Sequence, residues 1–442
     1  MKKTIAMLLL LAAAGAVSAQ NTDTAKFFGR GPTDADIKLP ADKVYPTGRL
    51  FPFSFYSTGG GSENKRGELL PPEQKEKDMK EIVDAGASLI GPQYELNDQV
   101  VADAKKYHVG AIMTVRGIFN GEKITKQFFR TNTPLDPKKM AEETAPVIRE
   151  LAKNPEIAFW DVTPEERRYW KKRDVLYLQT MYEVIKANDP LKRPVFMYEP
   201  GHRGGETLAK LLPYQDISAK GTYTSYSGFK TQRVWVRYSI EQETHAIKTA
   251  ALGRPIVPFL LPEMFRDVPE NEYPQIESWV RHDVYCGIAN GARGVMVFSA
   301  SRRPKFAARP KYLAAYLRVC RELSRRSELS QAILFGKPTS DLEVTLTSGP
   351  EKIPLKRNKI DTAYPPLSVA QFLWNGARYV LVVNSADQPV KAVVDNLVYG
   401  SGITVKNLLS LKNEPEFTAP EGNFEIKLAP YEAACYKIWN RK

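Results

Sequence analysis

The feature that most limits what this chain can become is a regular alternation between residues 50 and 327, where short apolar runs take turns with longer, charged, amphipathic stretches. The apolar runs lie at 50–56, 88–94, 110–115, 157–162, 194–198, 217–222, 256–261 and 294–299. They are short enough for buried strands and end at polar or turn-forming residues. Between them, 72–85, 138–153, 171–188, 241–253 and 273–290 mix apolar and charged residues as helices do, with a last helix at 309–327. Asp84-Ala85-Gly86-Ala87 and Gly253-Arg254-Pro255 supply helix stops before the second and seventh runs. Eight strands separated by helices predict an α/β fold, a closed (β/α)8 TIM barrel. An open dinucleotide-binding sheet needs GxGxxG after its first strand; Gly59-Gly60-Gly61-Ser62 lacks that spacing, and no Walker motif occurs.

From about residue 332 the pattern changes to short alternating runs at 342–347, 369–374, 379–384, 390–394, 403–408, 424–428 and 431–439. A small antiparallel β-sandwich is expected there, with Asn375-Gly376 as a hairpin turn. The organisation read from the sequence is a signal peptide at 1–19, a lead segment at 20–47, a catalytic barrel at 48–331 and the β-sandwich at 332–442.

The signal peptide rests on Lys2 and Lys3, the apolar stretch 5–14 and the small-x-small ending Val17-Ser18-Ala19. Cleavage before Gln20 predicts export to the periplasm or the cell exterior. Position 20 is not Cys, so no lipid anchor is expected, and no later apolar run of about 20 residues predicts a transmembrane segment. Of 442 residues, 43% are hydrophobic and 26% charged, which excludes a disordered chain. The three cysteines, Cys286, Cys320 and Cys435, are too few and too scattered for a disulfide scaffold or a zinc site, and read as buried thiols. The net charge of +13 is spread along the chain. It suits an anionic partner or surface without the basic stripe of a nucleic-acid binder, so no nucleic acid is expected.

A barrel builds its active site at the carboxyl ends of its strands. Strand four runs Trp160-Asp161-Val162-Thr163-Pro164-Glu165-Glu166, strand five ends Tyr198-Glu199-Pro200-Gly201-His202-Arg203, and strand seven ends Pro262-Glu263. Cleaving a glycosidic bond takes one carboxylic acid to protonate the leaving oxygen and one carboxylate to attack or stabilise the cationic carbon. Glu165 and Glu263 supply such a pair from strands four and seven.

In these residues the chain resembles the clan of secreted barrel glycoside hydrolases, clan A, whose acid/base glutamate follows strand four and whose nucleophilic glutamate follows strand seven. The resemblance spans about residues 48–330, and a C-terminal β-sandwich is a common appendage in that clan. It implies Glu165 as acid/base, Glu263 as nucleophile and a retaining mechanism, although the carboxylate gap that separates retaining from inverting chemistry is not legible in a sequence. Where the clan has Asn before its acid/base residue this chain has Pro164. Glu166 is an adjacent rival, and Glu199 a further one.

Aromatic faces stack on sugar rings, and Trp160, Tyr198, Tyr223, Tyr226, Phe229 and Trp235 lie on or after strand ends. The segment from Gly221 to Gly228, Thr222-Tyr223-Thr224-Ser225-Tyr226-Ser227 between them, reads as a substrate loop. With Asp161, Glu199 and His202 at the mouth, and Arg116, Arg203, Arg266, Arg302 and Arg303 after strand ends, an anionic sugar is one option, because guanidinium pairs bidentately with carboxylate or sulfate. The expected partner is an oligosaccharide or glycoconjugate. Two alternatives stay open: a sialidase-type hydrolase using Tyr198, Glu199 and the arginines, with Asp161 as acid, and a non-catalytic glycan-binding barrel. No HExxH, HxH, calcium-loop or GxSxG pattern occurs, so no metal, cofactor or serine-hydrolase centre is expected.

Overall fold

The computed structural model describes residues 50–58, 71–93, 97–303, 305–324, 327–357, 359–397, 403–412 and 414–440. The expected signal peptide, the lead segment and the Gly59–Ser62 stretch lie outside the described residues.

Eight parallel strands form the barrel: β1 (Phe53–Phe55), β2 (Leu89–Ile90), β3 (Gly110–Val115), β4 (Ile157–Val162), β5 (Val195–Phe196 continuing as Tyr198–Glu199), β6 (Ile217–Gly221), β7 (Val257–Leu261) and β8 (Val295–Val297). Each falls within an apolar run of the sequence, except that β5 extends one residue past its run to Glu199. One sheet runs from β2 through β3 and β4 to the first half of β5, and the other from the second half of β5 through β6, β7 and β8 to β1. The break at Met197 is therefore where strand five passes from one sheet to the other. The remaining seam closes through Ser88, whose hydroxyl accepts the Phe53 amide at 3.1 Å and donates to the Phe51 carbonyl at 2.7 Å, and through the Ser57 amide on the Pro92 carbonyl at 2.9 Å.

Helices follow the strands in order: α1 (Pro72–Asp84), α2 (Asn97–Tyr107), α3 (Pro137–Leu151), α4 (Lys172–Asn188), α5 (Gly205–Ala209), α6 (Trp235–Ala250), α7 (Ile276–Ala289) and α8 (Arg309–Glu322). Their starts are locally encoded. Asp136 caps α3 by accepting the amides of Lys138 and Lys139, and Pro stands in the first turn of α1, α3 and α8.

Side chains alternate across each strand, and that decides what faces inward. Phe159 on β4 meets Phe259 on β7 edge-on, 5.9 Å between centroids, so the interior is filled and these two strands face each other across it. Two residues on along the same face of β4 stands Asp161, and four on along β7 stands Glu263.

A ninth helix, α9 (Glu328–Phe335), runs through the place where the sequence pattern changes, and strands follow. They are β9 (Lys337–Thr339), β10 (Glu343–Ser348), β11 (Ile353–Arg357), β12 (Ile360–Tyr364), β13 (Leu367–Trp374), β14 (Ala377–Asn384), β15 (Val390–Asp395), β16 (Ile403–Asn407), β17 (Phe417–Thr418), β18 (Phe424–Leu428) and β19 (Ala433–Asn440). A six-stranded sheet, β9-β13-β14-β19-β16-β17, faces a three-stranded one, β10-β15-β18. On β14, Tyr379, Leu381 and Val383 pack toward the barrel helices while Val380 and Val382 pack into the sandwich. Both faces are covered, which is why that strand is apolar at nearly every position. The hairpin β11–β12 forms a separate two-stranded sheet that the alternation in the sequence does not announce. Cys286, Cys320 and Cys435 are free and buried.

Candidate active site

The carboxyl end of β4 is held by neighbours on both sides. The Tyr177 hydroxyl on α4 donates to the Thr163 carbonyl and accepts the Gly117 amide at 3.2 Å, joining the loops after β3 and β4. Asp161, 1% exposed, accepts a hydrogen bond from the Thr114 hydroxyl at 3.1 Å. Burial pushes its carboxyl up to about 8 and the neighbouring Glu165 charge adds to that, while Thr114 and Arg116 pull the other way. The burial favours the protonated form of Asp161. Glu165 lies on the loop before α4 rather than at a helix start, half-buried, and pairs with Lys126 from the loop after β3 at 2.9 Å. Glu166 is exposed.

Glu263 stands two residues past the end of β7, bridged to Phe298, and is 6% exposed. Its carboxylate accepts the backbone amides of Ser225 and of Tyr226, the latter at 2.9 Å, and the Thr224 hydroxyl at 3.4 Å. Burial raises its pKa and the two amides oppose that rise, with a smaller contribution from Arg233. The segment from Gly221 to Gly228 leaves the strand as a loop, and its backbone covers Glu263. Behind it, Thr224 also donates to Asp283 at 3.3 Å, Arg233 pairs with Asp283, and His282 bridges Asp283 at 2.9 Å to Ser385 at 2.8 Å. This buried polar chain leads from the mouth to the C-terminal sheets.

Between the two glutamates lies an aromatic wall. Tyr198 stacks on Tyr223 at 6.3 Å and 18° with their hydroxyls hydrogen-bonded, and burial lifts its hydroxyl to about 12. Tyr223 packs against Phe265 at 5.0 Å, Phe298 at 5.8 Å and Tyr226 at 6.2 Å. Arg303 sits over Phe265 at 4.9 Å. Tyr226 is 61% exposed, an open ring on the rim.

Several expected site residues are placed elsewhere. Trp160 alternates with Phe159 and Asp161 and so points outward; it is fully buried and its indole donates to Asp189 at 2.9 Å, so it offers no sugar platform. Phe229 and Trp235 stack on each other at 4.3 Å and are buried. Glu199 and Tyr198 are successive on one strand and take opposite faces. Glu199 is locked by Arg203 and by Gln215 at 2.9 Å, with burial raising its carboxyl to about 7. That separation removes Glu199 as the activator of a Tyr198 nucleophile, and it occupies Arg203, which also donates to the Arg167 carbonyl. Arg302 is held by Asp78 on α1 at 3.1 Å. Arg116 stays beside Asp161, half-buried, whereas Arg266 and His202 are exposed.

The sequence reading passed over Trp170, which is 64% exposed on the loop after β4 and packs edge-on against Tyr169 at 5.0 Å. Its neighbours Arg167 and Arg168 disguise it as part of a charged helix start. Among the described residues no group of three or more His, Cys, Asp or Glu is placed to hold a metal ion, and no helix is long and apolar enough to cross a membrane.

No family model matches the chain, and no curated protein matches its sequence. Solved structures do. The α-amylase of Geobacillus thermoleovorans, in complex with acarbose, aligns with 89% of this chain and 99% of its own at 10% identity and a TM-score of 0.56. The Anoxybacillus α-amylase aligns with 92% and 100% at 10% identity and 0.53, and AmyP, in complex with maltotriose, with 92% and 100% at 10% identity and 0.53. The chain shares the fold of these glycoside hydrolases. At such identity the likeness is one of fold, and function must be argued from the site.

Proposed function

We propose that the chain hydrolyses glycosidic bonds of an extracellular oligosaccharide or glycoconjugate, with Glu165 as general acid/base and Glu263 as the attacking carboxylate. One observation carries this reading: β4 and β7 face each other across a filled barrel and bring one glutamate each to the same mouth, with an aromatic wall between them. Oligosaccharides in the structural neighbours, acarbose and maltotriose, support a sugar as the ligand class.

In the proposed retaining course, Glu165 gives its proton to the glycosidic oxygen, the bond from that oxygen to the anomeric carbon breaks and the leaving group departs as an alcohol, and a carboxylate oxygen of Glu263 bonds to the carbon. Water then attacks that carbon, giving one proton to the Glu165 carboxylate, as the bond to Glu263 breaks and the sugar is released. The amides of Ser225 and Tyr226 hold Glu263 in place and favour its ionised form. The N-terminal stretch 1–19 supports action outside the cytoplasm.

The test is turnover of a panel of aryl glycosides and of mucin and plant glycans by the wild type and by Glu263→Gln, with the product anomer read by NMR. Retained turnover in the variant refutes the assignment. A second reading, glycan binding without turnover, is favoured by one observation, the three donors that occupy the Glu263 carboxylate. It predicts glycan binding with no cleavage in either protein.

A further inference from the structure

The hairpin β11–β12 belongs to the C-terminal β region by chain order, yet among the described residues it is hydrogen-bonded as a strand to neither of the two larger sheets. Ile353 touches the sandwich core, and the hairpin also reaches across to the barrel. Leu355 is fully buried in a socket of Phe229, Val234 and Trp235, with Ile353, Ile360 and Tyr364 around it. The Lys356 amide donates to the Gln232 side chain at 3.1 Å. Arg357 donates to the Ser227 carbonyl and lies over the Phe229 ring at 5.4 Å. Gly228, at φ +76°, leaves Arg357 the space that a β-carbon would fill.

All of these barrel partners follow directly on the segment that covers Glu263. Ser225 and Tyr226 supply its two amides. The turn they belong to is closed by Ser227 on the Tyr223 carbonyl at 3.1 Å and by Phe229 on the Thr224 carbonyl at 2.8 Å. The hairpin grips Ser227 and Phe229, the two residues through which that turn closes.

We propose that this hairpin is a positioning element of the site: Leu355 and Arg357 hold loop 223–229 so that the amides of Ser225 and Tyr226 stay on Glu263. The idea rests on the reading of Glu263 as a working carboxylate. Neither residue touches substrate. Each acts through the loop, and the C-terminal region becomes a working part of the active site rather than an appendage. The loop is anchored at its start by Tyr223 in the aromatic wall and at its end by Phe229, but between them Thr224 to Gly228 is polar or small apart from the exposed ring of Tyr226 and has little apolar packing to hold a single shape. An apolar plug at one end and a charge-assisted hydrogen bond in its middle supply what it lacks.

The experiment uses the full chain with Leu355→Ala, Arg357→Ala and the volume-conserving Leu355→Met, beside Glu263→Gln. Amide hydrogen exchange over 223–229 needs no substrate. It is expected to quicken at least about tenfold at Ser225 and Tyr226 in both alanine variants, with the barrel strands unchanged. On a substrate turned over by the wild type, kcat is expected to fall at least about tenfold with KM within about twofold, and Leu355→Met to recover most of that loss.

Wild-type exchange in both alanine variants overturns the proposal whatever the substrate. Wild-type kcat in both, with Glu263→Gln inactive, overturns it too. Turnover by Glu263→Gln instead brings down the reading of Glu263, and the exchange result then decides the hairpin's hold on the loop. Arg357 is on the exposed face of the hairpin, so its variant carries the test if Leu355→Ala does not fold.

Discussion

The carboxylate of Glu263 accepts the backbone amide of Tyr226 at 2.9 Å, so a residue just past the end of strand seven also fastens the loop that follows strand six. One group serves as a charge at the mouth and as a clamp on the wall of the mouth. Any change at Glu263 therefore has two consequences.

The first concerns Glu263→Gln. An amide side chain keeps one acceptor oxygen and puts a donor where the second oxygen accepted an N–H. Turnover is expected to fall by several orders of magnitude, and stability by about 1–3 kcal/mol for the buried donor left without a partner. Kinetics together with urea midpoints check both. Activity above about a tenth of wild type excludes Glu263 from covalent catalysis.

Glu165 differs because its ion pair with Lys126 is partly open to solvent. Glu165→Ala is expected to cost under about 1 kcal/mol of stability. Its lost activity should return in part with added azide or with substrates bearing good leaving groups, since neither needs a proton from the protein. Glu166→Ala should match the wild type. Exchanged phenotypes would move the acid/base role to Glu166, and two silent variants would hand it to Asp161.

Asp161 predicts a pH effect. Folded, its carboxyl is pushed up to about 8, whereas unfolded it ionises near 3.8. Between those values the native state binds more protons than the unfolded state, so this residue makes stability fall as pH rises. Glu199, raised to about 7, acts with the same sign. Asp161→Asn should gain on the wild type by on the order of a few kcal/mol between about pH 4 and pH 8. Parallel urea midpoints for both proteins across that range would refute it.

The buried Glu199–Arg203 pair is expected to be structural. Arg203→Ala leaves the buried Glu199 carboxyl without a counter-charge and should cost about 3–5 kcal/mol. Chemical denaturation measures this, and a variant of wild-type stability would show that the pair does not hold strand five to the loop after strand four.

Substrate charge can be settled by salt. With Arg203 engaged by Glu199 and Arg302 by Asp78, the arginines to test for an acidic sugar are Arg116 beside Asp161, the exposed Arg266 and Arg303 over Phe265. A sialylated, uronic or sulfated glycan should outperform its neutral counterpart at low salt, with the exposed Arg266 contribution fading at about 0.5 M. Arg116→Ala or Arg303→Ala should remove whatever preference survives. Equal rates on matched glycans at low salt would sink the idea.

Local order was legible in the sequence because it is written in local periodicity. The eight apolar runs, the helices between them and the shift to alternating strands after α9 each depend on residues a few positions apart. So does the placing of Glu263 at the end of a strand, since a lone acid closing an apolar run has little other explanation. What each side chain faces was decided by tertiary structure. Trp160 was sent outward because Phe159 and Asp161 took the inner face of the same strand. Glu199 was taken out of the mouth by Arg203 and by Gln215, which lies sixteen positions on. The hairpin β11–β12 gives no signal of its role in the sequence, because its meaning lies in partners such as Ser227, 130 positions from Arg357. Periodicity encodes which residues form elements, but pairing between distant segments is set only when packing and hydrogen-bond satisfaction are solved for the whole chain at once.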